Sequence, residues 1–370
     1  MRFIGAFLVF ALHATQFPYI RGQTGDFLGD VFANSGYYGV TFFFLLSGFV
    51  LTWVARPGDR ATSIWRRRVV KVFPNHLVTL GLTAVLMLIA SDVFTLKATL
   101  ANVFLVQSWF SDMETSRTMN TVSWSLSCEL FFYLSFPALL RLVNRVPFRR
   151  LWALAAGIVA LTWAAPLVGH FMINGPALGV PPYGSLSYEQ IWFVYLFPPV
   201  RALEFVLGMV IARLVMAGAW PRLGLVPAGL IAVGGYVVSL QLPYLFGLGG
   251  GSVVWLVPLV AAGALADTRG DASPFRHRAL VWLGERSFAF YMVHSVVLLY
   301  CYRWIAVHYE MAPVVGAGMV LALFVFCLAL SHALYAWVEM PMVRRFSRPR
   351  KKNTVRAAPE RVLASVKGDD

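Results

Sequence analysis

Apolar residues recur along this chain in runs of about 20, separated by short polar stretches, from Phe3 to Val338. A helix of that length crosses a hydrocarbon core of ~30 Å. Backbone polar groups in lipid must be bonded inside their own segment, so each run predicts a helix. Ten spans are expected, at roughly 3–20, 37–55, 72–91, 121–142, 151–171, 190–215, 224–244, 251–267, 287–306 and 313–338. The stretch 96–110 is apolar but short, and reads as a re-entrant or interfacial segment or as an eleventh span. Alternating strands of about ten residues are absent, which argues against an outer-membrane barrel. The expected fold is all-α, a polytopic helical bundle in a membrane.

Composition agrees with this pattern. Of 370 residues 59% are hydrophobic and 13% charged, where a soluble domain has about 25% charged. A net charge of +14 would suit nucleic acid, but its placement points to a bilayer instead. With the N-terminus on the cytoplasmic side, all basic residues but Arg21, Lys97, Arg117, Arg201 and Arg303 fall at cytoplasmic positions. The opposite side carries Asp26, Asp30, Asp92, Asp112, Glu114, Glu189 and Glu310. An even number of spans, with both termini cytoplasmic in a cell membrane, satisfies the rule. The expected organisation is a membrane domain over 1–340 and a basic cytoplasmic tail over 341–370. The first run lacks a small-residue cleavage site and reads as a retained helix. Cys128, Cys301 and Cys327 lie inside apolar runs and form neither a disulfide framework nor a metal spacing.

Ionisable groups inside spans are the candidates for chemistry, with structural pairing as the standing alternative. Arg2 and His13 are eleven residues apart, almost three turns, so they share a face over a rise of about 16.5 Å. They are an anion holder and a proton acceptor along one channel, or His13 is a hydrogen-bonded core residue. The densest basic cluster, Trp65 to Pro74, holds Arg68 and Lys71 on one helix face. Both suit a polyphosphate ligand, although half of such a cluster is expected from topology alone. No glycine-rich phosphate loop is present.

The fourth span opens Val122-Ser-Trp124-Ser-Leu-Ser127-Cys-Glu129, a polar entrance to an apolar helix. Glu129 there could orient a histidine, hold an acceptor hydroxyl, or neutralise a buried arginine. Arg201 and Glu204 are three apart and read as a pair. Ser287, Tyr291 and His294 lie on one face, which lines a cavity or forms an interhelical seam. Glu339 lies close enough to Arg344 for an ion pair.

Taken in order, these segments resemble the membrane acyltransferase family 3, which includes O-antigen and macrolide O-acyltransferases. Arg2 and His13 look like its first-span motif, and Gly39-Val-Thr-Phe-Phe-Phe-Leu-Leu-Ser-Gly-Phe49 like its second. Arg68-Val-Val-Lys71-Val-Phe-Pro74 resembles its basic loop, and Trp124-Ser-Leu-Ser-Cys-Glu129 its fourth-span motif. Ser287-Phe-Ala-Phe-Tyr291-Met-Val-His294 and Val338-Glu-Met-Pro341 match its closing pair. The wording around Ser47 to Trp53 looks closer to the antibiotic-modifying branch. Three departures stand out: Arg2 follows Met1 without the usual polar lead-in, Lys71 replaces the common Arg, and Cys128 replaces a small aliphatic.

The resemblance implies a mechanism. Acyl-CoA, as acetyl-CoA or another short-chain thioester, docks from the cytoplasm with its phosphates on Arg2, Arg68 and Lys71. His13 acts as general base on the hydroxyl of a sugar or macrolide-type acceptor, and Glu129 orients that base or the acceptor. A neutral imidazole with a pKa near 6.5 suits this role. Trp124, Ser127, Tyr291 and His294 are expected to contact the acceptor. No metal and no nucleic acid are expected. The alternative from another class is a secondary transporter, which explains the spans and buried charges but not the ordered motifs. A non-catalytic membrane sensor has no specific support.

Overall fold

A computed structural model of the chain describes residues 1–56, 58–180 and 182–346. Each predicted span is a helix. These are α1 (Arg2–Gln16), α2 (Ser35–Val54), α3 (Ala61–Ile89), α4 (Trp124–Arg145) and α5 (Leu151–Met172). The second half contains α6 (Pro198–Met216), α7 (Leu225–Ser239), α8 (Val253–Arg269), α9 (Arg278–Trp304) and α10 (Pro313–Leu334). Among the described residues eight stretches are long and apolar enough to cross a membrane. Helices α1 and α7, the other two of the ten predicted, have 15 residues each and fall below that length. Among the described residues the only β pairing is one bridge between Ala177 and Ser187.

The stretch 96–110 does not cross. It forms an eight-residue helix, Leu96–Val103, capped by the Thr95 side chain and followed by a turn at Gln107–Trp109. Eight residues rise only about 12 Å. The final helix, Met340–Phe346, continues the last span to 346. The rest of the expected basic tail, from Ser347, lies outside the described residues.

Helix α6 is the axis of one half, packing on α2, α4, α5 and α8, with α2 its most extensive partner. Glycines set that distance. A Cβ on Gly48 would overlap the Phe205 carbonyl oxygen, and one on Gly208 would overlap the Leu45 carbonyl oxygen. Small residues of this kind let membrane helices approach backbone to backbone. The expected Arg201–Glu204 pair sits on the same seam. Arg201 Nη2 lies 2.9 Å from Glu204 Oε2 and donates to Thr41 Oγ1 at 3.2 Å, while that hydroxyl donates to Glu204 Oε1 at 3.2 Å. Both charges are buried, so α2 and α6 carry a neutralised polar lock inside an apolar interface.

The other half is built on α1, α9 and α10, with Phe3, Phe10 and Phe290 in its core. Helix α1 packs between α2 and α9, so it joins the two halves. Helix α10 is the outermost: only 17% of its most apolar stretch is buried, and Val314, Leu321 and Val325 are exposed. Such a face belongs against lipid. Two π-helical turns interrupt the regular pattern, Trp192–Leu196 before α6 and Tyr335–Glu339 after α10. Turns of this type re-aim side chains and concentrate at functional sites. Here both deliver residues to cavities.

Candidate active site

Two cavities lie where α1, α2, α4 and α9 converge. The larger, about 280 Å³, opens beside the basic clusters and is lined by Arg2, Arg68, Lys71, Glu129, Glu285 and Glu339 among others. The smaller, about 80 Å³, is lined by His13, Gln16, Arg117, Trp124 and several tyrosines. Val40 and Tyr291 line both, so they form the wall between them. One helix serves both: α1 places Arg2 in the larger cavity and His13 in the smaller. The shared face read from their spacing is therefore real, but a partition divides it.

The His13 environment fixes its tautomer. His294 Nδ1 lies 2.8 Å from the Tyr291 carbonyl oxygen and 3.3 Å from that of Phe290. A carbonyl only accepts, so Nδ1 of His294 carries the hydrogen. The other nitrogen of a neutral His294, Nε2, then offers a lone pair. It lies 2.9 Å from His13 Nδ1, which must donate. A neutral His13 is left with its lone pair on Nε2, the form a general base requires. His294 is fully buried and lines neither cavity, whereas His13 is half-buried. His294, expected at the acceptor, sits behind His13 instead of on a cavity wall.

Glu129 is also placed differently from one reading. Its Oε2 accepts from Tyr133 at 2.7 Å in the larger cavity, and the group that contacts His13 is His294. Arg68 lies over the Tyr133 ring at 5.5 Å, and Trp65 Nε1 donates to the Tyr133 carbonyl oxygen at 3.1 Å. Glu129, Tyr133, Arg68 and Trp65 thus form one connected group between α3 and α4. Lys71 Nζ lies 3.9 Å from Glu339 Oε1, and Asn75 Nδ2 donates to Glu339 Oε2 at 2.8 Å. The expected partner of Glu339, Arg344, is replaced by Lys71, because the π-helical turn aims Glu339 inward. Among the described residues neither Arg2 nor Arg68 makes an ion pair. Two cations without an ion pair among the described residues, plus one shared with Glu339, face the larger cavity.

The remaining candidates divide. Trp124 lines the smaller cavity, with its ring 4.4 Å from that of Tyr195. Tyr291 bridges the wall: its hydroxyl donates to the Val122 carbonyl at 3.1 Å and bonds Ser125 Oγ at 2.8 Å. Among the described residues Ser127 is buried, has no hydrogen-bond partner and lines neither cavity. Its position on α4 turns it away from the face that carries Ser125 and Glu129. Sequence reasoning took Ser125 only as part of a polar helix entrance and missed Tyr133, Arg117 and the tyrosines of the smaller cavity other than Tyr291. For Tyr133 a signal existed, four residues after Glu129 on one helix face. The tyrosines come from separate segments and left none. Cys128, Cys301 and Cys327 are all free thiols.

Residues 1–335 match the acyltransferase domain family. The chain belongs to that family. Over 361 residues it is 37% identical to Acyltransferase MdmB of Streptomyces mycarofaciens, covering 95% of this chain and 92% of that protein. No solved structure matches. Membership decides between the two classes open to the sequence: the multi-pass bundle is a membrane acyltransferase, and the transporter reading falls away. The matched region contains both cavities up to Tyr335.

Proposed function

We propose that the protein transfers an acyl group from acyl-CoA to a hydroxyl of a sugar or macrolide-type acceptor, with His13 as general base. The carrying observation is the His13–His294 pair. It leaves Nε2 of His13 as the basic nitrogen in one cavity, beside a wall shared with a second cavity that presents Arg2, Arg68 and Lys71.

The donor enters the larger cavity from the basic face, which positive-inside logic assigns to the cytoplasm. About 280 Å³ is at the low end for a small-molecule pocket. It suits an acyl chain and the arm that bears it, with the phosphates left at the mouth. Arg68 there supplies a planar fork for phosphate oxygens, and Lys71 a point charge. Glu339 holds the Lys71 ammonium in place, and Glu129 with Tyr133 holds the ring beneath Arg68. Glu129 thus serves the donor side.

The acceptor hydroxyl meets His13 in the smaller cavity. As its oxygen bonds to the thioester carbonyl carbon, His13 Nε2 takes its proton. The tetrahedral intermediate collapses with breakage of the carbon–sulfur bond, and the thiolate leaves with the electron pair. Imidazolium His13 returns its proton to that thiolate, so the products are an ester and free CoA thiol. His294 steadies His13 throughout. Tyr291 stands between the two reactants, so its wall must yield for carbonyl and hydroxyl to meet.

The test is acceptor-dependent thiol release by protein purified in detergent, across acetyl-CoA and longer acyl-CoAs with sugar and macrolide acceptors. His13→Ala should bind acyl-CoA as wild type does and lose transfer by a factor of about 10²–10⁴, the range for removal of a general base. Arg68→Ala should instead raise the KM for acyl-CoA more than that for the acceptor. Transfer that survives in His13→Ala rejects His13 as base, and failure of wild type to bind any acyl-CoA rejects the donor.

A further inference from the structure

The smaller cavity has a chemical bias that its role in transfer does not require. Its wall is rich in aromatic rings, including Tyr37, Trp124, Tyr183, Tyr188, Tyr195 and Tyr244. Among the described residues no carboxylate lines it. Its one permanent cation is Arg117, and among the described residues Arg117 makes no ion pair.

Arg117 is held there by construction. It ends the short helix Met113–Arg117, whose N-cap is Asp112. Asp112 accepts from the Thr115 amide at 2.8 Å and is paired with Lys97 at 2.9 Å. Asp112 is thereby engaged, and Glu114, three residues before Arg117, is exposed and makes no ion pair among the described residues. Ser116, the preceding residue, is bonded to the Tyr188 hydroxyl at 2.5 Å, which ties this helix to the cavity wall. Tyr37 and Tyr244 share a hydroxyl contact of 2.8 Å on the same wall.

A guanidinium carries five donors and no acceptor. Where charge is partly removed from water it gains most from an oxygen-rich or anionic partner. Aromatic faces supply flat apolar contact for a ring. At about 80 Å³ the space is roughly half the ~150 Å³ of a cavity that takes a benzene ring. His13 and Arg117 line this one space, so under the acyl-transfer reading it takes the reacting edge of an acceptor, with the flanking groups toward Arg117.

We infer that Arg117 is the specificity-determining residue for the acceptor, selecting a hydroxylated ring with an anionic carboxylate or phosphate beside the reacting hydroxyl and rejecting a cationic amino sugar. This rests on the acyl-transfer reading above for the identity of the reaction. Nothing in the donor cavity bears on it, because Arg117 and the donor cations line different spaces.

The experiment compares four probes with the full chain in detergent at saturating acetyl-CoA: methyl glucuronoside, glucose 6-phosphate, methyl glucoside and methyl glucosaminide. Thiol release and the mass of the acylated sugar are both read. In wild type, kcat/KM for the better anionic probe exceeds that for the cationic one by about tenfold or more, the effect of a single charge-assisted hydrogen bond. Arg117→Gln flattens this order through the KM for the acceptor, and Arg117→Lys, which retains the charge, preserves it. Glucuronoside ahead of the phosphate assigns a carboxylate, and the reverse order a phosphate. An equal or better response to the amino sugar overturns the inference, as does an unchanged order in Arg117→Gln. So does no response to any probe in protein that still binds acetyl-CoA and cleaves it through His13, an outcome that leaves the donor chemistry standing. Absence of acetyl-CoA binding is the separate failure of the proposed function.

Discussion

At the scale of single residues, the decisive contact is 2.9 Å between two imidazoles 281 positions apart. The spacing of Arg2 and His13 is legible in the sequence, because both lie on one helix whose period is fixed. The part played by His294 is not legible, since it depends on how α1 meets α9. In the proposed mechanism His294 acts through His13, so its loss should leave donor binding alone. His294→Ala is expected to lower kcat by about 10-fold to 100-fold, the range for removing a partner that orients a functional histidine, with the KM for acyl-CoA unchanged. His294→Gln, whose amide oxygen can accept from His13 Nδ1, should recover part of the loss. Equal activity of the Ala and Gln variants would mean that His294 only fills space. Ser127 shows the opposite lesson: its position in a recognisable motif suggested contact with substrate, and the rotation of α4 buries it instead.

At the scale of elements, the second-span signature has a packing explanation. Gly48 sits where α2 touches the backbone of α6, so the motif's glycine is a spacer for the helix that holds Arg201 and Glu204. Gly48→Ala places a carbon against the Phe205 carbonyl and should cost about 1–3 kcal/mol, as overpacking of a core does. Gly157→Ala on α5 meets nothing within 4 Å and serves as the control. Thermal unfolding in detergent should separate the two, with the Gly48 variant alone destabilised. Identical midpoints would remove close approach as the reason for that glycine. The π-helical turn at Tyr335–Glu339 is a second case. Proline at 341 marks a helix end in the sequence, but only the widened turn redirects Glu339 from Arg344 to Lys71 and Asn75.

At the scale of the whole molecule, the side of the membrane that each cavity faces is set by orientation. The loop before α9, with Asp271, lies on the basic face, and the loop before α10, with Ala312, on the other. An impermeant maleimide applied to intact cells should label Ala312→Cys and leave Asp271→Cys unlabelled until the membrane is opened. Both positions are exposed, and the native cysteines are buried or half-buried. The reverse pattern would invert the bundle and move the larger cavity, with the proposed donor, to the outer face.

Sequence alone determined that the chain is a bundle of about ten membrane helices. Length and apolarity are local properties, and lipid leaves a backbone no other way to satisfy its hydrogen bonds. The order of the motifs likewise disclosed the acyltransferase family, and helical period placed Arg2 and His13 on one face. Tertiary structure decided what no local pattern encodes. It set which cavity each face meets, that Val40 and Tyr291 divide the two, and that His294 backs His13 while Glu129 stays with Tyr133 and Arg68. These depend on distances between helices remote in sequence, and such distances are fixed by glycine contacts, π-helical turns and buried pairs acting together.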